Sequence, residues 1–403
     1  MAMRIPDDLV EKGKTKIVLV VMDGLGGLPD PTTGKTELES AETPNLDALA
    51  RTAALGQIMP VGVGITSGSG PGHLALFGYD PLVWNIGRGV LSGLGVGFPL
   101  EPGDVATRLN FATVDGAGNI VDRRAGRPSD DENRRLVSLL REKVKAPDGV
   151  QVFFESEKEH RLALVVRGKG LSADLHDTDP QQTGVPPLRV QALSPVAEAS
   201  ARVVQDVLDQ ACAALKDEAK ANAVLARGFA EYAAYPTFLE RFKLRALAIA
   251  QYPMYRGVAR LVGMEIQPPP ASVDGVVEAL KERWNDFDFF FLHFKYPDSR
   301  GEDGDFGAKM KAIENVDRLI PGITVLKPDV LLVTGDHSTP ARWKAHSWHP
   351  SPLLVASSWT RPAGASGFGE RECAVHGELG TFLSKDLMTL ALAHAGRLAK
   401  FGA

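Results

Sequence analysis

Aspartate and histidine close several apolar runs in distant parts of this chain. Asp23 follows IVLVVM, Asp298 follows FFFLHFKYP, and Asp336-His337 follows VLLVTG, with His346 and His349 just beyond in KAHSWHP. These side chains ligate divalent ions of the Zn, Mn or Co type, and harder ions favour more oxygen. So many carboxylates gathered at one point repel one another unless cations supply the opposing charge. A separate stretch, TSGSGPGHLALFGYDP, sets Ser69 between Gly68 and Gly70. Glycine has no Cβ and allows close approach, so the flanks can serve to expose one hydroxyl. Each residue alone has a plainer reading: a strand-end aspartate usually caps a helix or forms a turn, and a Gly/Ser/Pro stretch is usually a surface turn. The coincidence of three strand ends, a histidine-rich loop and a glycine-flanked serine favours one shared metal site.

Familiar nucleophile and phosphate signatures do not fit. A nucleophile elbow needs glycine two positions either side of the serine, where Ser67 and Pro71 stand. A phosphate-cradling loop needs GxxxxGK followed by Ser or Thr, and this stretch has no lysine. Gly24-Leu25-Gly26 runs into Leu28-Pro29 where a dinucleotide-binding turn needs a third glycine.

The elements that must position these residues alternate along the chain. Ile17–Met22, Phe287–Phe294, Val330–Thr334 and Pro352–Ser357 read as buried strands, rich in β-branched and aromatic residues. Helical patterns over Pro44–Ala54, Ala308–Leu319 and Lys385–Ala395 predict an α/β sheet with helices on both faces. Ligands of such sheets bind outside the carboxyl ends of the strands, where the aspartates stand. The middle differs: Asp104–Asp115, Gln151–Glu155 and Arg161–Arg167 read as half-exposed strands, and Ser194–Ala221 as a long amphipathic helix. The Gly/Pro-rich GVGFPLEPG and the run QPPPA predict the borders of an inserted α+β domain, giving 1–100 with 268–403 as one domain and 101–267 as the other.

The 403 residues suffice for two or three domains, and 44% apolar with 24% charged residues is ordinary globular composition. A net charge of -5 without any Lys/Arg-rich run argues against a nucleic-acid partner. MAMRIPDDLVEKGKTK lacks the apolar core of a signal peptide, and no segment approaches a membrane span, so the expectation is a cytoplasmic protein without a membrane partner. Cys212 and Cys373 have no zinc-type spacing and read as unpaired buried thiols.

An ordered series of motifs resembles the cofactor-independent phosphoglycerate mutases of the alkaline phosphatase superfamily, in their shorter archaeal-type branch. The markers are VMDGLGG, TPNLDALA, SGSGPGHLALFGYDP, GRG, DVATRLNFAT, DRRAGR, DTDP, YRGVARLVGM, HFKYPDSRGEDGD, TGDHSTP and AHSWHPSP, which together span nearly the whole chain. The resemblance implies an alkaline-phosphatase-like, mostly parallel sheet flanked by helices with an inserted α+β domain. It implies an isomerase that interconverts 3-phosphoglycerate and 2-phosphoglycerate through a phosphoserine, without 2,3-bisphosphoglycerate. The alternative is a metal-dependent phosphohydrolase or phosphotransferase acting on another small phosphorylated metabolite.

Carried over by motif, Asp23, Ser69, Asp336 and His337 hold one ion, and Asp298, position 302 and His346 a second. Position 302 is Glu302 where the family has histidine. A charged oxygen in place of an imidazole nitrogen favours Mn²⁺, with Mg²⁺, Co²⁺ and Zn²⁺ as alternatives. Ser69 is chosen over Ser67 as the nucleophile by its spacing to Gly72-His73. Arg123, Arg124 and Arg127 of DRRAGR, Arg161, Asp177 and Asp179 of DTDP, and Arg256 are expected to line the pocket for the small phosphorylated substrate. The resemblance leaves room for a homo-oligomer.

Overall fold

The structure, a computed structural model, describes residues 9–84 and 86–402. The stretch Met1–Asp8, on which the leader expectation partly rests, lies outside the described residues. Ile86–Tyr235 form one compact unit, and the chain on either side of it forms the other.

In chain order the strands are β1 (Ile17–Met22), β2 (Ala54–Met59), β3 (Val105–Val114), β4 (Ile120–Asp122), β5 (Val150–Lys158), β6 (Arg161–Gly168), β7 (Ala223–Glu231), β8 (Ala246–Ala250), β9 (Glu265–Ile266), β10 (Phe289–Phe294), β11 (Val330–Thr334), β12 (Ser351–Ser357) and β13 (Thr381–Leu383). The larger unit holds an eight-stranded sheet in the order β13-β2-β12-β11-β1-β10-β8-β9. Only β12 runs antiparallel to its neighbours, so the sheet is mostly parallel.

The central strands β1, β10 and β11 are buried along their whole length, as continuous apolar runs in a sheet covered on both faces must be. Their register decides where the chemistry lies. Met22 pairs with Phe294, and Val21 pairs with Thr334. The segments beginning at Asp23, Lys295 and Gly335 therefore leave the sheet side by side at one end. Helix Phe306–Asp317, capped by Asp305 on Ala308 N–H, seals one face by burying Ile313 and Val316 against Val18, Val20 and Leu292. Each such side chain contributes roughly 1.5–3 kcal/mol by leaving water.

Four strands of this sheet, β2, β8, β9 and β13, were hidden in the sequence. The helix expected over Pro44–Ala54 stops at Ala50, and Ala54 opens β2, which pairs antiparallel with β12 and buries Leu55 and Ile58. β8 reads ALAIA; its alanines have little strand preference, and pairing with β10 decides its conformation. Because β8 belongs to this sheet, the run QPPPA is not the border of the insertion, and the inserted unit closes at Tyr235. GVGFPLEPG likewise lies inside that unit, following helix Arg88–Gly95.

The inserted unit is an antiparallel sheet of order β4-β3-β6-β5, with β7 on the other edge of β3. Helices Asp130–Lys143 and Glu198–Leu215 bury Leu136, Leu140, Val204 and Leu208 in its core. The second of these is shorter than the sequence pattern predicts, because Pro195–Ala197 form a 3₁₀ turn and the helix ends at Leu215. Cys373 is buried and Cys212 only half-buried, and both are unpaired. No helix among the described residues is long and apolar enough to cross a membrane.

Candidate active site and metal centre

Asp23 begins where β1 ends, its N–H donating to Phe294 O of β10 at 3.0 Å. The next residue, Gly24, turns with φ +62° and donates its N–H to Asp336 Oδ1 at 3.1 Å. A Cβ here would lie 2.5 Å from Thr339 Oγ1 and 2.8 Å from Asp298, so glycine is required both by conformation and by space. Two clusters of ligand atoms result, Asp23/Asp336/His337 and Asp298/His337/His346, each with its atoms within 4.8 Å of one another. His337 belongs to both, and its ring stacks on that of His346 at 3.6 Å.

Ser69 opens helix Ser69–Leu76 and is half-buried, with Oγ 3.1 Å from His337 Nε2. Its place at a helix N-terminus favours an anion, such as a phosphate on its oxygen. Ser67 is buried, and its hydroxyl donates to Gly68 O at 2.9 Å. The glycine that this helix needs is Gly72, where a Cβ would sit 2.5 Å from Asp336 O; at Gly68 a Cβ would make only an ordinary contact with Pro71 Cδ at 3.8 Å. Beside it, buried His73 places Nδ1 2.8 Å from Ser69 O and 3.1 Å from Asp336 Oδ2.

The charges are crowded. Burial and then the charge of Asp23 push the Asp336 carboxyl up to about 6. Burial works on Asp23 too, but Lys295, His293 and His337 outweigh it and hold that carboxyl well below the usual range. Without an ion Asp23 alone is charged below about pH 6, and near neutrality the pair carries close to two negative charges. Burial keeps His337 uncharged and pushes His293 down to about 4, leaving ring nitrogens that can ligate. Asp23 Oδ1 and Asp336 Oδ2 are buried yet accept no hydrogen bond, although ring nitrogens lie 3.1–3.5 Å away. Buried carboxylate oxygens left this way are costly, and a divalent cation would satisfy them. Nitrogen and carboxylate donors together fit ions of the Mn, Co or Zn type.

In the inserted unit the excess is positive. Arg108 on β3 stands directly opposite Arg227 on β7, a like-charged cross-strand pair that is unfavourable by itself. Burial, followed by Arg88, Arg161 and Arg227, brings the Arg108 guanidinium down to about 10, against the pull of Glu157. His160, nearly buried, is pushed down to about 4 by burial and then by Arg161, Arg124, Arg108 and Arg127. The Nε atoms of Arg108, Arg161 and Arg227 are buried without a hydrogen-bond acceptor. Guanidiniums gathered in this way await an anion with several oxygens.

The residues expected from sequence divide clearly. Asp23, Asp298, Asp336, His337, His346 and Ser69 come together. Glu302 does not enter either cluster: it is 55% exposed, with Oε1 3.8 Å from His346 Nε2. His349 turns away, its Nδ1 3.0 Å from Ser347 Oγ. Arg123 is locked on Asp179 through two hydrogen bonds of 2.9 and 2.7 Å. Asp179 also faces Arg227 at 3.5 Å, and Asp177 accepts from Gly228 N–H at 2.6 Å. Both aspartates are thus engaged with the protein, Asp179 with the guanidiniums of Arg123 and Arg227 and Asp177 through Oδ1 with the Gly228 backbone. Arg124 and Arg127 are exposed. Arg256 lies on helix Pro253–Leu261 of the larger unit, not in the insertion.

Other members went unread. Lys295 pairs with Asp298 and, at 3.2 Å, with Asp23, so one ammonium spans both carboxylates. Thr339 Oγ1 donates to Asp298 Oδ1 at 2.6 Å and lies 3.0 Å from His337 Nδ1. Tyr255 stacks on His293 at 3.7 Å, and His293 Nε2 meets Asp23 at 3.2 Å. Arg88, Arg108 and Arg227 complete the guanidinium cluster. The signal for Lys295 was its place three residues before Asp298 in HFKYPD, and for Arg88 its place in GRG.

Comparison with known proteins bears on this geometry. The family model described as 2,3-bisphosphoglycerate-independent phosphoglycerate mutase matches residues 50–220. A protein named as a probable mutase of this kind from Thermotoga neapolitana is 53% identical over 396 residues, with 98% of each chain covered. One from Thermus thermophilus is 50% identical over 399 residues, again with 98% of each covered. Among solved structures, a protein from Pyrococcus horikoshii aligns with a TM-score of 0.83 and 30% identity, covering 97% of this chain and 100% of that one. The cofactor-independent phosphoglycerate mutase of Thermoplasma acidophilum aligns at 0.72 and 29% identity, covering 95% of this chain and 100% of its own.

Proposed function

Because the chain belongs to the 2,3-bisphosphoglycerate-independent phosphoglycerate mutases, we propose that Ser69 carries the phosphoryl group as the enzyme interconverts 3-phosphoglycerate and 2-phosphoglycerate. The observation that carries this reading is Ser69 Oγ at 3.1 Å from His337, beside buried carboxylate oxygens without donors. Relatives named as mutases over nearly the full length of the chain do not favour the phosphohydrolase alternative.

In the forward half-reaction Ser69 Oγ bonds to phosphorus as the bond from phosphorus to the glycerate oxygen breaks. The proton lost by Ser69 is balanced by one gained on the freed glycerate hydroxyl. In the return half the other glycerate hydroxyl attacks, and Ser69 recovers its proton. The Lys295 ammonium lies against Asp23 and Asp298 and brings positive charge to the place where phosphate oxygens arrive. Burial and then the charges of Asp23 and Asp298 act on it in opposite senses; the carboxylates win and hold it protonated.

Asp23, Ser69, Asp336 and His337 would hold one divalent ion, and Asp298 and His346 a second, with Glu302 at the rim of the second. When bound, such ions supply charge that favours the serine alkoxide and stabilises the transferring phosphoryl group. Mn²⁺ suits this oxygen-rich donor set. The arginines of the inserted unit, Arg88, Arg108, Arg161 and Arg227 foremost, would hold the carboxylate and phosphate of the substrate. We place the reaction in the cytoplasm, on the sequence reading alone.

The test is a trap: enzyme mixed with 3-phosphoglycerate is quenched and the phosphate mapped by mass spectrometry. Phosphate on Ser69, its loss with Ser69→Ala, and a fall in turnover of at least ~10³-fold are expected. Phosphate on Ser67, or steady release of inorganic phosphate in place of 2-phosphoglycerate, overturns the reading.

A further inference from the structure

Helix Phe306–Asp317 buries a lysine completely. Lys309 is 0% exposed, and its ammonium donates to Gly24 O at 2.9 Å, Gly26 O at 3.0 Å and Thr339 O at 2.8 Å. A lysine has three donors, and all three go to carbonyls of just two loops. One loop follows β1 and carries Asp23; the other follows β11 and carries Asp336 and His337.

The same loops meet a second time through Thr339, whose N–H donates to Gly24 O at 3.2 Å and Gly26 O at 3.0 Å. Its hydroxyl donates to Asp298 and faces His337 Nδ1. There is little slack around this junction, since a Cβ on Gly301 would lie 2.1 Å from Thr339 O and one on Gly26 1.8 Å from Ser338 Oγ. Charge is balanced from behind. Glu37, buried, and Glu370, half-buried, exert the largest attraction on the ammonium after burial itself is counted. Glu37 accepts from Ala341 N–H at 2.6 Å and Glu370 from Gly27 N–H at 2.9 Å, so the carboxylates also brace the two loops. A buried lysine serving only the core would need no such concentration of its donors on ligand-bearing loops.

We propose that Lys309 is a positioning residue for the metal centre, an internal cation that ties the Asp23 loop to the Asp336-His337-Thr339 loop and sets the spacing of the ligand atoms. This rests on the reading of Asp23, Asp298, Asp336 and His337 as metal ligands. Through Thr339 the tie also reaches Asp298, so both ligand clusters depend on it. The lysine touches neither substrate nor ion and acts by holding backbone.

The experiment uses the full chain, stripped with chelator and then titrated with Mn²⁺ by calorimetry, for the wild type, Lys309→Met and Lys309→Gln. Thermal unfolding of the stripped proteins is measured alongside. Lys309→Met is expected to weaken Mn²⁺ binding by about 10- to 100-fold, the range found when groups that orient metal ligands are lost. Lys309→Gln keeps two donors and should fall between. Equal affinity in wild type and Lys309→Met overturns the proposal. So does a lowered unfolding midpoint with unchanged Mn²⁺ affinity, which marks an ordinary core residue, and so does failure of both variants to fold. A wild type that takes up no Mn²⁺ overturns the metal reading itself and the proposal with it.

Discussion

The end of the eight-stranded sheet and the face of the inserted sheet concentrate charge of opposite sign, and each is only partly neutralised by its own side chains, Lys295 at the first and Asp179 at the second. At the first, buried Asp23 and Asp336 leave carboxylate oxygens without hydrogen-bond donors. At the second, Arg108 and Arg227 face each other across β3 and β7, with Arg88 and Arg161 adding to the repulsion. A fold selected for stability alone would pair such groups internally or omit them. Each region is better understood as half of an ionic complex whose other half arrives from solution: cations to one, a multiply charged anion to the other.

The two halves also differ in rigidity. The acidic centre is held by backbone at every turn, from Gly24 with its left-handed conformation to the close packing of Gly72 on Asp336. Two of its aspartates hang directly on strand ends fixed by the register of β1 and β11. The guanidiniums stand on long side chains; Asp179 grips Arg123 and faces Arg227, while Arg108 and Arg161 keep Nε atoms without an acceptor. Carboxylates for a metal need fixed distances, while arginines for a phosphate can adjust to it.

The largest effect should come from emptying the acidic centre. Asp336→Ala removes a ligand from the first cluster and the partner of Gly24 N–H. Loss of metal content by elemental analysis and a fall in turnover of more than ~10²-fold are expected, because even groups behind the ligands contribute 10- to 100-fold. Wild type stripped by chelator should lose activity equally and recover with added Mn²⁺, whereas Asp336→Ala should not recover. Full activity in metal-free protein would remove one side of the comparison.

The basic cluster should respond in a different currency. Arg108→Met keeps the apolar stem and removes the charge. A hydrogen bond to a charged group is worth ~1.5–3 kcal/mol, so kcat/KM should fall roughly 10- to 100-fold. Because the repulsion from Arg88, Arg161 and Arg227 is relieved, the unfolding midpoint should stay level or rise. A variant that is both less stable and fully active would make Arg108 a structural residue.

How far the sequence speaks follows the same division. The acidic centre is legible because its ligands sit at the ends of apolar runs, where the rule for parallel sheets places them, and because Ser69 stands in a recognisable motif. The arginines Arg88, Arg108 and Arg227 are harder to see, since each is one polar residue in a different helix or strand and only antiparallel pairing gathers them. β8 escaped notice because ALAIA carries little strand preference, and the border of the insertion was misplaced with it. Lys309 is invisible in sequence for a general reason: lysine on a helix is nearly always a solvated residue.

A smaller effect is expected at Glu302, which lies at the margin of the acidic centre. Its carboxyl is raised by burial and then by Asp298, yet more than half of the side chain is exposed and it stands 3.8 Å from His346. Glu302→Ala should lower Mn²⁺ affinity by less than about tenfold, below the usual loss for a group that orients ligands. Glu302→His should shift preference toward Co²⁺ or Zn²⁺. Calorimetric titration of each variant with each ion is the measurement. No change in affinity or preference would place Glu302 outside the centre.

The smallest expected effect is a proton on His160, which reports the field of the basic cluster. This residue links β5 and β6, is 3% exposed, and is pushed down to about 4 by burial and then by Arg161, Arg124, Arg108 and Arg127. The unfolded chain takes up a proton near 6.5, but the folded protein does not until about 4. The stability contributed by neutral His160 is therefore complete above pH 6.5 and lost as pH falls from 6.5 through 4, on the order of 3 kcal/mol at most. His160→Gln should make the acid limb of the stability curve shallower by about one proton over that window. Inorganic phosphate bound among the guanidiniums would offset their charge and raise the His160 pKa, which proton NMR of the imidazole can follow. Burial alone predicts no such response to phosphate. A His160 titration that phosphate leaves unmoved would mean that the anion does not bind within reach of these arginines, and the proposed symmetry between the two centres would fail on its basic side.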